Sequence, residues 1–376
     1  MIKTCSPYIL ITRFSFSMAP VLSRPLRLAC PCIGWDAPGH AFRRLGQPVE
    51  ILYAYDTDVR VYKPLVALHG RAVVDRFCLG PYVGDICAVD YSNWECVDAI
   101  IAGPPCPPVS RIGLRFANED PRQRVWDRCV DIIIDQGRKG AYFFVLEMVL
   151  GVTDRPRGGG ESVATTFRRR LQTEAPMWAV VREWRMNSLD FVPQHRERVY
   201  FVGFNAASFH DNCAGPLPPV VANPCSRRAL AEYLRRDLPW VDEGQLSGHV
   251  AERLAVHKAY AHQYVPFGVL ISIELDRDWT KTWGSGSPVC FHRVGHIMTL
   301  RTNNGPIWLY GRSAFGSFSR ALDPLERVAL QGFPPWVAMG MDPQDVLRGA
   351  GNAMTVPVVQ AVLARCLSML CGAGQG

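Results

Sequence analysis

Short apolar runs recur through the first half of the chain, with helically spaced stretches between them. VEILYAYD (49–56), VDAIIAGP (97–104), GAYFFVLEMV (140–149) and RVYFVGF (198–204) read as buried strands. RQRVWDRCVDIIIDQGR (122–138) has apolar residues near i, i+3, i+4 and i+7 and reads as an amphipathic helix. Alternation of this kind predicts an α/β domain with a parallel, doubly wound sheet. In such a sheet functional residues collect just past the carboxyl ends of the strands.

Other features narrow the class. About half the residues are apolar, yet no apolar run is long enough to predict a membrane span. The formal charge of +7 fits a polyanionic partner. The thirteen cysteines are an odd set. Cys30 and Cys32 form the one close pair and no C-x-x-C occurs, so no metal site or disulfide framework is predicted. Reduced thiols imply an intracellular protein. The first 35 residues carry Lys3, Arg13, Arg24 and Arg27 but no acid before Asp36. They resemble an organellar transit peptide; the alternative is a translated leader, with Met18 as the initiator.

At the end of one strand stands AIIAGPPCPPVS (99–110). Pro104, Pro105, Pro107 and Pro108 fix φ around Cys106 and remove amide donors, so the loop holds one thiol in place. A held, accessible thiol serves as a nucleophile once its pKa is lowered.

Gly103-Pro104-Pro105-Cys106, with Ser110 beyond it, resembles the catalytic loop of the cytosine-5 DNA methyltransferases. The family's Glu-Asn-Val motif is matched by Glu147-Met148-Val149, and its Gln-x-Arg-x-Arg motif by Gln194, Arg196 and Arg198. RALDPLERVALQGFP (320–334) and GNAMTVPVVQAV (351–362) look like its two closing motifs, in the family's order. The resemblance covers roughly residues 26–204 and 293–365. It implies a Rossmann-like S-adenosylmethionine-dependent methyltransferase sheet with a smaller target-recognition domain. The expected division is an N-terminal extension (1–25, disordered or targeting), a catalytic and cofactor-binding domain (26–204), a target-recognition region (205–340) and a C-terminal segment completing the catalytic domain (341–376).

The resemblance also implies roles. Cys106 would attack C6 of cytosine, which makes the ring enamine-like and lends C5 the electron density needed to accept a methyl group. Glu147 would hydrogen-bond N3 and the exocyclic amine, its pKa raised by burial. Arg198, and second Arg196, would stabilise O2. A target inside duplex DNA must be flipped out to be reached.

For the cofactor, LACPCIGWDAPGHAFRRLG (28–46) stands where the family has a Phe-x-Gly-x-Gly turn; Cys30, Ile33 and Gly34 are carried over, and a helix is expected from Pro38 to Gly46. Asp56 and Thr57 are carried over for the ribose hydroxyls, Asp85 and Ile86 for adenine, with Pro105, Val125, Asn352 and Ala353 as further contacts. Nucleic-acid contacts are carried over to Ser110, Gln194, Arg227 and Arg228, with Arg235 and Arg236 alongside. Asp323-Pro324-Leu325-Glu326 reads as a capping box opening a helix that Gly332 stops, a structural element. A final helix is expected over about 357–369.

Besides the cofactor turn, where the aromatic and the first glycine are both replaced, three positions depart from the family. Met148 replaces an Asn, Pro107 a Gln and Val109 a Phe, so the bonds bracing the loop differ. The expected partner is double-stranded DNA, bound by a monomer without metal; in a eukaryote the protein would be nuclear, or organellar if its extension targets it. Two alternatives stand beside this reading. PPCPPVSRIG also resembles the loop of the tRNA-methylating branch, and the altered cofactor turn suits a catalytically inactive nucleic-acid-binding homologue.

Overall fold

The computed structural model describes residues 22–77, 84–105, 121–155, 159–208, 230–239, 248–264, 266–274, 292–302, 307–313 and 316–371. The chain forms two compact units. The larger comprises Ser15–Asn187, Glu197–Val221 and Ala353–Gly376.

Its sheet has six strands: β1 (Leu26–Cys30), β2 (Val49–Ala54), β3 (Ala99–Ala102), β4 (Phe143–Met148), β5 (Trp178–Asn187) and β6 (Glu197–Asn205). Their order is β2-β1-β3-β4-β6-β5. The first four run parallel, but β6 is antiparallel to both β4 and β5. The segment 198–204 is therefore a strand as expected, inserted in reverse. The link Ser188–Arg196 is shorter than the dozen or so residues that a parallel crossover needs, so β5 and β6 pair antiparallel.

The central strands β1, β3, β4 and β6 are buried on both faces, as the middle of a parallel-rich sheet requires. Ala29, Ile100, Ala102, Phe144 and Leu146 join the core cluster of α4 (Pro121–Lys139) and α5 (Val163–Glu174), where Trp126, Ile133 and Phe167 meet them. The alternating residues Leu28, Ile101, Phe143 and Val145 point the other way and are equally buried. In the same unit α1 (Ala37–Leu45) packs against α9 (Val356–Cys371). Helix α1 stops at Gly46, whose φ of 74° needs a residue without Cβ.

One carboxylate ties the chain entering β1 to the start of β3. The Asp98 side chain is 2% exposed. It accepts from Arg24 Nη1 (2.6 Å) and Nη2 (2.9 Å) and from the Arg27 amide (2.8 Å). Burial raises the Asp98 carboxyl, but the arginines and that amide outweigh it and hold it below the usual carboxylate range. A depressed pKa stabilises the fold at pH above the unfolded value, and the gain is lost as pH falls through the folded value. Asp98→Asn is expected to cost about 1.5–3 kcal/mol at neutral pH, and less in acid, by urea unfolding across that range. An equal cost at every pH would sink the assignment.

The smaller unit holds Ser188–Arg196 and Ala222–Asn352. Its sheet comprises β7 (Ile271–Glu274), β8 (His292–Val294), β9 (Ile307–Ser313) and β10 (Gly316–Ala321), in the antiparallel order β10-β9-β7-β8. With it go α6 (Gly248–Tyr264), α7 (Pro324–Leu330) and α8 (Pro343–Asn352). The capping box of α7 is made: Asp323 accepts from the Leu325 amide (2.8 Å), and Glu326 from the Asp323 amide (2.9 Å). Glu326 also receives the buried Arg320 at 2.5 Å, which fixes β10 to α7. This unit takes α8, so the stretch that completes the sheet unit begins at Ala353.

Candidate active site

Strand β3 is wholly buried and ends into Gly103-Pro104-Pro105, with Pro105 exposed. Its register pairs Ala102 with Leu146, which sets Gly103 alongside Glu147 at the end of β4. A Cβ on Gly103 would lie 2.6 Å from Met354 Cε, which would have to move, and 3.5 Å from Glu147 Oε2, an ordinary contact beside the carboxylate. Across the ladder β4 pairs with β6 through Glu147–Tyr200 and Met148–Val199. That pairing delivers Arg198, whose Nε stands 3.0 Å from Glu147 Oε1. Both side chains are largely shielded, 15% and 10% exposed. Arg198 Nη1 donates to the Glu197 carbonyl (2.7 Å), which holds the guanidinium in place. A carboxyl and a guanidinium thus meet beside the strand end that leads to the thiol.

Cys106 and Ser110 lie outside the described residues, as do Arg227 and Arg228. Met148 is fully buried in the cluster with Leu146 and Phe201. The position that carries an amide in the family is here filled by core packing.

The other two residues of the Gln-x-Arg-x-Arg pattern belong to the smaller unit. Arg196 is 4% exposed and donates to the carbonyls of Leu300 (2.9 Å) and Gly351 (3.2 Å). Gly351 lies so close to the backbone of Arg301 and Thr302 that no Cβ would fit. Arg196 is therefore spent on fastening two turns of its own unit, whereas Arg198 is brought to Glu147. Gln194 is fully buried, and neither polar atom of its amide has a hydrogen-bond partner among the described residues. Its backbone pairs with Ile297. Arg235 is engaged by Asp237 at 2.6 Å and Asp323 at 3.6 Å.

The residues carried over for a cofactor collect at the carboxyl ends of β1 and β2. Cys30 and Ile33 are buried, Gly34 and Asp56 half-buried, Thr57 exposed. Asp56 accepts from the Gly34 amide (3.0 Å) and the Asp58 amide (2.9 Å), one on each oxygen. Burial pushes its carboxyl up from the ordinary value. Asp56 bridges to Gly84, which brings Asp85 and the buried Ile86 to the same edge. Asp85 accepts from the Cys87 amide (2.9 Å) and starts a short turn of helix. Val125 is half-buried on α4. Asn352 is exposed at the end of α8, and Ala353 is buried. Sequence reading missed Asp36, His69 and a close contact between Cys32 and Cys129 (Sγ–Sγ 3.9 Å). The signal for the first was a polar residue just before a helix, the ordinary mark of an N-cap.

Comparison with known proteins converges on one family. The model for C-5 cytosine-specific DNA methylases matches residues 76–368. The type II methyltransferase M.NgoBI of Neisseria gonorrhoeae is 29% identical over 289 residues, 75% of this chain and 78% of that protein. M1.ScrFI of Lactococcus lactis subsp. cremoris is 23% identical over 307 residues, 79% of this chain and 71% of that one. Among solved structures, a mutant of Spodoptera frugiperda DNMT2 superposes with TM-score 0.58 at 15% identity, covering 91% of this chain and 99% of its own. The S. pombe Dnmt2 methyltransferase gives 0.54 at 14% identity, covering 91% and 98%.

Proposed function

The chain belongs to the C-5 cytosine-specific DNA methylase family, and we propose that it methylates C5 of cytosine in duplex DNA through a covalent bond from Cys106 to C6 of a flipped base. That it is a DNA cytosine-5 methyltransferase rests on the family match together with its type II methyltransferase relatives. The observation that carries the residue assignment is the pair Glu147–Arg198, 3.0 Å apart beside the Gly103–Pro105 strand end.

In this reading the Cys106 thiolate forms a bond to C6 while the C5–C6 π electrons move toward C5, N3 and O2. Glu147 gives or shares a proton at N3, and Arg198 holds the developing charge on O2. After C5 is methylated, a base removes the C5 proton, the S–C6 bond breaks, and the thiolate returns. S-adenosylmethionine, which methyltransferases of this family use, supplies the methyl as an electrophilic sulfonium when bound.

The residues present fit that cofactor. Asp56 keeps a free lone pair on each oxygen after its two amide bonds, enough to accept both ribose hydroxyl protons. Gly34 has nothing within 4 Å of the place a Cβ would fill, so the backbone is open to a ligand there. Asp85 stands beside Asp56 across the Gly84 bridge and would receive the adenine amino group.

The test is trapping. Wild type and Cys106→Ala are incubated with S-adenosylmethionine and a duplex containing 5-fluorocytosine. Fluorine blocks the final elimination, so a denaturation-resistant adduct in wild type alone is the expected result. Trapping only on tRNA carrying the analogue would move the substrate to RNA. No adduct with either, from folded protein that fails to bind cofactor, would leave a binding homologue.

A further inference from the structure

Asp36 is the one non-glycine among the described residues with a positive φ, 52°. A left-handed residue with a Cβ is strained and persists only where its surroundings over-determine it. What holds Asp36 is a set of bonds around a fully buried carboxylate. Its amide donates to the Ile33 carbonyl (2.9 Å) and closes the turn Ile33–Asp36. Its Oδ1 accepts from the Gly39 amide (2.8 Å) and caps α1. A Cβ on Gly39 would overlap the Asp36 carboxylate, so only glycine fits. Its Oδ2 meets His69 Nε2 at 2.6 Å.

His69 is the last residue of α2 (Tyr62–His69), and its side chain is 13% exposed. The carboxylate therefore joins the start of α1 to the end of α2. The Ile33–Asp36 turn before α1 is held from the other side by the residues just after β2: the Ile33 amide donates to the Tyr55 carbonyl (3.0 Å) and the Gly34 amide to Asp56 (3.0 Å). The titratable groups near Asp36 are His69, His40 and Cys30, and Arg43 and Arg44 on α1 act in turn on His40. His40 is kept neutral by burial, its pKa lowered to about 3. Burial alone would raise the Asp36 carboxyl; His69 and the Gly39 amide outweigh it and keep it below the ordinary range.

We propose that Asp36 and His69 form a positioning pair that sets the Gly34 amide, and through it the Asp56 carboxylate, for S-adenosylmethionine, without touching the cofactor. This rests on the reading of the Gly34–Asp56 turn as the cofactor site. A buried carboxylate deprived of its partner must neutralise or pull away, and either would release the turn. The pair then governs cofactor affinity and leaves methyl transfer at saturation alone.

The test measures S-adenosylmethionine affinity by calorimetry, turnover at saturating cofactor, and duplex affinity without cofactor. His69→Ala is expected to weaken cofactor binding about tenfold or more, with saturated turnover and duplex affinity within about twofold of wild type. His69→Gln, which keeps a donor but not the imidazole's reach, should fall between, at about threefold. Unchanged cofactor affinity in folded His69→Ala overturns the pair, and so does an equal loss of affinity and saturated turnover. If the alanine variant does not fold, His69→Gln decides, and wild-type affinity there overturns the proposal. Asp56→Ala separates the pair from its premise. Strong binding in that variant sinks the cofactor-site reading, whereas weak binding there beside wild-type binding in His69→Ala sinks the pair alone.

Discussion

Cys106→Ala is expected to stop the release of tritium from duplex DNA labelled at C5 of cytosine, and to lower turnover by something on the order of 10⁶-fold, the scale on which other enzymes lose a covalent nucleophile. The size follows from the chemistry. Cytosine C5 carries too little electron density to take a methyl from a sulfonium, and only addition at C6 supplies it. Exchange at C5 reports that addition directly, because C5 of the adduct takes up either a solvent proton or the methyl group and then gives its original hydrogen to a base as the S–C6 bond breaks. The other thiols near this end of the sheet are poor substitutes. Burial pushes the Cys30 thiol well up from its ordinary value. The hydrogen bond with Cys129, and then burial, do the same to Cys32. Neither offers much thiolate at neutral pH. Exchange persisting near the wild-type rate in Cys106→Ala would remove the cysteine from the mechanism.

The second large effect falls on the pair beside the loop. Glu147→Gln should lower kcat about 10²–10⁴-fold, since an amide cannot hand a proton to N3. Arg198→Ala should cost about 10²–10³-fold, as for the loss of one donor to a developing oxyanion. The double variant should lose less than the product of the two, because the side chains touch at 3.0 Å and each orients the other. Arg198→Ala also leaves a carboxylate that is 7% exposed without its partner, so that variant should melt earlier than wild type. Single-turnover rates and thermal melts of the three variants check both claims. Arg198→Ala within tenfold of wild type, beside a collapse in folded Arg196→Ala, would transfer the O2 role to Arg196.

Much of the larger unit was legible before any coordinates. The runs in β3, β4 and β6 are apolar because those strands are covered on both faces, and a fully covered strand must read as a continuous run. Helix α4 showed its period because one side packs on the sheet and the other meets water. The Asp323 capping box was legible because its bonds join residues only two and three apart, a local geometry that the chain encodes by itself. The strands of the smaller unit were not. Strand β10 buries Ser319 and Arg320, and that burial is tolerable only because Glu326 faces Arg320 across the start of α7. A partner brought in by folding leaves no periodic trace.

The candidate site divides in the same way. Residue types and spacing pointed to the groups proposed to carry chemistry: a thiol set between prolines in the sequence, a glutamate at a strand end, and two arginines in the segment leading into a strand. Which arginine meets the glutamate is a matter of strand register. The pairing of Met148 with Val199 brings Arg198 to Glu147, while Arg196, two residues earlier, fastens the carbonyls of Leu300 and Gly351. The reversal of β6, the exchange of an amide for a packed Met148 and the left-handed Asp36 held by His69 are likewise tertiary. Each depends on contacts between residues far apart in the chain, where the cost of burying a charge or bending the backbone is offset only once the partner has arrived.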